Sequence, residues 1–362
     1  MNGHWLNRER LILYPRVMLL VLLIIFAKLL AADLLEPQSR LLGSDFNAFW
    51  SASHLGLLGR PEDAYRAQLL VEVEKITQPA IAGVLPWFYP PSFFLLVLPL
   101  ALLPYIAAYA TFVLSTFLAY MAVFARLAQC REVLWYLLTF PAVWINIVHG
   151  QNAFLTSGLA AAALLNLERR PLLSGVFIGL LSIKPHLALL FPVALLAIGA
   201  WRTLMTAALV AVGLMLVAIG VLGDETWPAF LSSLSLARWG VESGAVSWAT
   251  MPTVFSLVRL LGGAVSSAYL LHGLVAVAAI WSVWQVWRRS PLLPLRGAAL
   301  LCGTFLVSPY LFAYDLAGMA FPILWLAQSG IQCGWLRGER EILVAAWAMP
   351  LFMIGLALLL SI

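Results

Sequence analysis

The chain alternates long apolar runs with short polar joints. Runs bounded by charge, Pro or Gly lie at about 14–35, 92–125, 132–148, 151–167, 171–183, 187–200, 203–222, 264–287, 294–309, 314–330 and 341–361. They do not alternate apolar with polar positions, as the strands of a membrane barrel would. A segment in lipid must pair its backbone internally, so the runs predict about eleven transmembrane helices. The second run is broken by Pro99 and Pro104, which predicts a short helix followed by a full span. The runs at 171–183 and 187–200 hold only 13 and 14 residues. A crossing needs about 20 residues at ~1.5 Å rise each. These two are therefore expected to meet at a point buried within the membrane profile.

Two longer segments, about 36–91 and 223–263, separate the runs. The first contains Pro61-Glu62-Asp63 followed by Ala64, Tyr65, Leu69, Leu70, Val73 and Ile76, with Lys75 near the end. Pro and acids at the start and a cation at the end are helix boundary signals. Apolar residues at helical spacing predict an amphipathic helix, on the membrane surface or packed against the spans.

Composition narrows the class. Of 362 residues, 63% are hydrophobic and 10% charged, and the mean hydropathy is +0.96. A soluble domain carries roughly 25% charged residues. A soluble enzyme and a disordered chain are thus excluded, leaving an all-α polytopic membrane protein with a single integral domain over 1–362. The net charge of +5 does not point to nucleic acid, because the basic residues sit at helix ends. With the N-terminus in the cytoplasm, 13 of the 21 Lys and Arg fall on the cytoplasmic side: Arg8, Arg10, Arg16, Arg126, Arg131, Arg169, Arg170, Arg202, Arg288, Arg289, Arg296, Arg337 and Arg340. That orientation obeys the positive-inside rule. The segment Met1–Pro15 is basic, and no small-residue cleavage site follows the first run, which predicts an uncleaved anchor. Cys130, Cys302 and Cys333 are scattered, with neither disulfide nor metal-ligand spacing. No metal or cofactor is expected.

The remaining polar joints were not used to set the orientation, yet all fall on the outer side. Asp45 lies in Gly43-Ser44-Asp45-Phe46-Asn47-Ala48-Phe49-Trp50. Tyr89-Pro90-Pro91 opens the second run. His149-Gly150-Gln151-Asn152, Lys184-Pro185-His186, and Ser308-Pro309-Tyr310 with Tyr314-Asp315 form the other joints. Ionisable groups at membrane depth usually line a functional cavity. Plainer roles stay open for each. Asp45, Asp315, Gln151 and Asn152 suit helix caps, Lys184 could snorkel, and the histidines could be satisfied interior residues.

There is no phosphate-binding glycine loop, dinucleotide fingerprint or zinc-protease motif. One candidate base and at least one cation suit displacement at a carbon that carries a phosphate leaving group. Asp45 would take the proton of an attacking hydroxyl. Lys184 and His186 would neutralise charge on the departing phosphate, and Arg259 is a further candidate phosphate contact. A phosphate leaves without a general acid, so no second carboxylate is required. Trp50, Trp87, Phe88 and Tyr89 could stack on sugar rings.

The chain resembles the GT-C superfamily of membrane glycosyltransferases, and within it glycosyltransferase family 87. Four stretches carry the resemblance: Ser44 to Trp50 with Ala52; Phe88-Tyr89-Pro90-Pro91 with Leu98-Pro99-Leu100; Gly150-Gln151-Asn152 with Arg169-Arg170-Pro171 and Gly179 to His186; and Ser308-Pro309-Tyr310 with Tyr314-Asp315. The resemblance implies a GT-C fold, a catalytic aspartate at Asp45, a polyprenyl-phosphate-linked sugar donor (mannose in the type enzymes) and single displacement with inversion. It implies donor-phosphate contacts at Lys184 and His186. Substrate contacts are expected from Trp50, Tyr89, His149, Gln151, Asn152, Tyr310, Tyr314 and Asp315. No Asp-x-Asp pair stands in the first outer loop, so metal dependence is not expected. The expected partners are the lipid donor, a glycan or glycolipid acceptor and the bilayer. The expected location is the plasma (inner) membrane, with the site open to the periplasm or cell exterior. A transporter or flippase for a lipid-linked or anionic substrate is the alternative, though no repeated halves are visible.

Overall fold

The computed structural model describes residues 8–36, 42–81, 83–128 and 130–360. Residues 1–7 of the basic N-terminus and 37–41 of the first long segment lie outside the described residues. Among the described residues the chain is all-α, built of helices and 3-10 turns.

Each expected run is occupied by helix, and proline sets most of the breaks. The first run is α1 (Arg8–Leu35). The segment after it holds α2 (Phe46–Leu57), a 3-10 turn at Pro61–Tyr65 and α3 (Ala67–Thr77). The second run divides as expected: α4 (Pro91–Val97) and a 3-10 turn at Leu98–Leu102 precede α5 (Tyr105–Leu127). The third run, expected as one helix, is two: α6 (Val133–Leu138) and α7 (Pro141–His149). Pro141 disfavours helical backbone at Phe140 and itself lacks an N–H to donate back, so the helix restarts there. Next come α8 (Ala153–Asn166), α9 (Pro171–Leu180), α10 (Leu190–Ala197) and α11 (Trp201–Leu222). The second long segment forms α12 (Thr226–Ser243) and α13 (Val254–Leu260). The chain continues with α14 (Val265–Arg289), α15 (Leu293–Val307), a 3-10 turn at Ala313–Met319, α16 (Ala320–Cys333) and α17 (Glu339–Leu360).

Six helical segments are long and apolar enough to cross a membrane; five shorter apolar ones accompany them. The short class includes α8 and α15 as well as the two expected at 171–183 and 187–200. At ~1.5 Å per residue, the 14 residues of α8 reach only about two thirds of a crossing.

Two packing features position the site. The first is the approach of α9 to α11. A Cβ on Gly175 would stand 2.6 Å from Thr203 O, and one on Gly179 2.7 Å from Ala207 O. Glycines four apart thus let two backbones touch, which van der Waals packing between helices in lipid favours. The second is an aromatic core at the start of the chain. Phe49 meets Trp87, Tyr89, Phe93 and Phe112 edge to face, with centroids 5.2 to 5.9 Å apart. These rings clamp the 84–90 segment onto α2.

The amphipathic helix begins at Ala67 rather than Pro61, and it packs on α2. Its buried face is Leu70, Val73, Glu74 and Thr77, while Ile76, expected on the apolar side, is 62% exposed. Polar residues occupy that face because α2 offers Asn47 there. Asn47 Nδ2 donates to Glu74 O at 3.1 Å, and Thr77 Oγ1 donates to Asn47 Oδ1 at 2.6 Å. The Glu74 carboxylate accepts the Leu85 N–H at 3.1 and 3.2 Å, which ties the 84–90 segment to α3.

Candidate active site

Two glycines bring the first joints together. Gly43 has φ +73° and Gly150 φ +70°, conformations that cost glycine little. A Cβ on Gly150 would stand 2.6 Å from Phe46 Cβ. The Gly43 N–H donates to Val148 O at 2.7 Å, and its carbonyl accepts the Tyr105 hydroxyl at 2.6 Å. The turn before α2 is thereby fixed to the end of α7.

Asp45 consequently faces His149 and Gln151. It makes no side-chain cap to α2. Its Oδ1 lies 3.3 Å from His149 Nδ1 and accepts Ser44 Oγ at 3.4 Å. Its Oδ2 accepts Gln151 Nε2 at 3.1 Å. The Tyr89 hydroxyl donates to Gln151 Oε1 at 2.8 Å and so fixes that amide's orientation. The Asp45 side chain is 25% exposed and lines a cavity of about 1100 Å³. Among the described residues no Lys or Arg forms an ion pair with it. A carboxylate that is oriented and accessible within a cavity is placed to take a proton from a hydroxyl bound there.

Lys184 forms the cavity's deeper wall. It stands between the 3-10 turns at Leu181–Ile183 and Pro185–Leu187, where the two short segments meet as expected. It is buried. Its Nζ donates to Asp315 Oδ1 at 2.5 Å and Asn152 Oδ1 at 3.3 Å, and lies 5.1 Å from the Tyr314 ring centroid. An ammonium has three donors, so one is left over for the cavity. Asp315 is buried too, and its other oxygen accepts the Phe312 N–H at 3.3 Å. Such a pair holds together because each charge compensates the other out of water. His186 lines the same cavity, and its buried Nε2 has no partner among the described residues.

His149, Gln151, Tyr89, Tyr310 and Tyr314 also line the cavity, while Asn152 and Asp315 sit behind Lys184. Trp50 and Arg259 are not on its wall. The Trp50 indole stacks on His54 at 5.2 Å and donates to Leu103 O at 3.1 Å. Trp87 is buried in the aromatic core. Arg259 donates to Gly263 O at 2.7 Å and Glu242 O at 3.1 Å, with its guanidinium 4.6 Å from the Trp248 ring. The cation that lines the cavity from that segment is Arg238 on α12. Arg238 is not among the residues that the sequence pattern singles out. Its available signal was the face it shares with Leu234, Val241 and Glu242 at helical spacing.

An all-α bundle with membrane-crossing helices, enclosing a cavity walled by carboxylate, ammonium and imidazole groups, defines an integral membrane protein built for polar chemistry. The chain matches the family model of glycosyltransferase family 87 over residues 87–309, more than half its length, and it belongs to that family. Comparisons with curated proteins and with solved structures gave no match. A membrane glycosyltransferase requires a sugar donor, an acceptor and the bilayer.

Proposed function

We propose that the protein transfers a sugar, mannose being the first to test, from a polyprenyl-phosphate donor to a lipid-linked or cell-envelope glycan on the outer face of the plasma membrane. The observation that carries this reading is Asp45, held on both oxygens and exposed to a cavity whose far wall carries Lys184 and His186. The acceptor oxygen attacks the anomeric carbon as its proton passes to Asp45. The bond from that carbon to the phosphate oxygen breaks, and polyprenyl phosphate leaves with the electron pair. One displacement inverts the anomeric centre. The third Lys184 donor serves the charge that grows on the phosphate, and His186 lines the same part of the cavity. Tyr89, Gln151 and His149 orient the base, and Tyr310 and Tyr314 offer ring surface to the sugars.

The test is transfer of labelled mannose from polyprenyl-phosphate mannose by the purified protein to an acceptor glycolipid extract. Asp45→Asn keeps the size and the hydrogen-bonding surface but removes the base. Turnover is expected to fall by about 10²- to 10⁴-fold. Near-normal turnover in the folded variant would overturn the assignment of the base.

A further inference from the structure

A long isoprenoid chain does not fit beside a sugar, a phosphate and an acceptor in a cavity of about 1100 Å³, so the chain of such a lipid donor has to leave it. The cavity wall offers a route. Leu234, Ala237 and Val241 on one face of α12, and Met353, Ile354 and Ala357 on α17, line it with apolar side chains. Leu234 is 41% and Ile354 40% exposed, and α17 is one of the candidate membrane spans. The cavity therefore reaches a candidate membrane span through an apolar lining shared by α12 and α17.

The same lining carries Arg238, with a side chain 66% exposed. Arg238 Nε donates to Glu242 Oε1 at 2.7 Å, and the Tyr269 hydroxyl donates to the same oxygen at 2.9 Å. The terminal amino groups of Arg238 donate to no described residue. An exposed ion pair one helical turn apart is worth little, whereas a guanidinium and a phosphate pair through two parallel hydrogen bonds. Arg259, by contrast, is spent on the Glu242 carbonyl and holds the end of α12 that carries the Arg238 pair.

Building on the donor reading above, we propose that the α12–α17 gap is the doorway through which the isoprenoid chain of the donor reaches the bilayer, with Arg238 binding its phosphate at the threshold. Lys184, already paired with Asp315, then serves the inner side of that phosphate, and Arg238 the side nearer the lipid.

The test uses the full chain in nanodiscs with labelled polyprenyl phosphate. The wild type is expected to bind it saturably. Arg238→Gln is expected to weaken binding by about tenfold or more, Arg238→Lys to recover part, and binding of the uncharged polyprenol to be unmoved by either. In turnover, Arg238→Gln is expected to raise the donor KM and leave the acceptor KM unchanged. A photo-crosslinking residue at Ile354 is expected to capture the labelled chain, with unlabelled polyprenyl phosphate competing and phosphatidylglycerol not. The same residue at Leu216 on α11, 58% exposed, is the lipid-facing control. Capture at 354 no greater than at 216, equal competition by phosphatidylglycerol, or unchanged binding by Arg238→Gln would each overturn the doorway while leaving the donor reading intact. A wild type that binds no polyprenyl phosphate would sink the donor reading itself and the doorway with it.

Discussion

At the scale of single residues, the site combines an accessible acid with a buried ion pair, and the two respond differently to substitution. Lys184→Ala leaves Asp315 charged and uncompensated, which costs about 3–5 kcal/mol. Replacing both partners by apolar residues of similar size, Lys184→Met with Asp315→Leu, is expected to restore most of that stability without restoring transfer. Thermal unfolding in detergent checks the first half of this expectation, and the mannose assay the second. A structural role alone would predict recovery of both. Glu74 makes a separate prediction about pH. Burial raises its carboxyl from 4.5 to about 7, against a smaller opposing pull from the Leu85 N–H. The folded state therefore holds this proton more tightly than the unfolded chain, so Glu74's contribution to stability is fully present below about pH 4.5 and is lost as pH rises through about 7. Glu74→Gln is expected to flatten that part of the profile, and unfolding midpoints between pH 5 and 8 measure it. Asp45, Lys184 and His186 were legible in the sequence because charge is scarce at membrane depth. Arg238 and Arg259 were not separable that way. Both lie on the second long segment with similar apolar neighbours, and only the fold decides which one faces the cavity. Trp50 misled for a similar reason: its neighbourhood was right, but it points from α2 toward Leu103.

At the scale of elements, short and broken helices put polar joints inside the bundle. The halves of the 171–197 region meet at Lys184 because neither is long enough to cross. This was readable from run length and Pro185. The split of the third run at Pro141 was not read, because its apolar character continues unbroken on both sides of the proline. The close approach of α9 to α11 supplies a prediction here. A Cβ at Gly179 would stand 2.5 Å from Val210 Cβ as well as 2.7 Å from Ala207 O. Gly179→Val must push the helices apart, and overpacking of this kind costs about 1–3 kcal/mol. Because Lys184 follows five residues later, transfer is expected to fall more than stability. Gly213→Val on α11, where a Cβ meets nothing within 4 Å, is expected to leave transfer near normal. Equal effects of the two substitutions would separate helix packing from site geometry.

At the scale of the whole molecule, the proposed orientation can be read from native thiols. Cys130 and Cys333 are both exposed and lie in or beside basic joints expected in the cytoplasm. A membrane-impermeant maleimide is expected to label them only in inside-out vesicles. Asp45→Cys, in a chain with the native cysteines replaced, is expected to react from the opposite side. Labelling of all three positions from one side would overturn the orientation. The helical class and the grouping of the polar joints were legible from hydropathy, since lipid tolerates little else. Which joints touch was not, because contacts between residues 45 and 149, or 184 and 315, depend on how the spans pack. The last of these contacts also orders events during synthesis. Lys184 enters the membrane before its counter-ion has been made, because Asp315 follows 131 residues later. Until the segment carrying Ala313–Cys333 docks, the growing chain holds Lys184 without the carboxylate that compensates it in the folded protein.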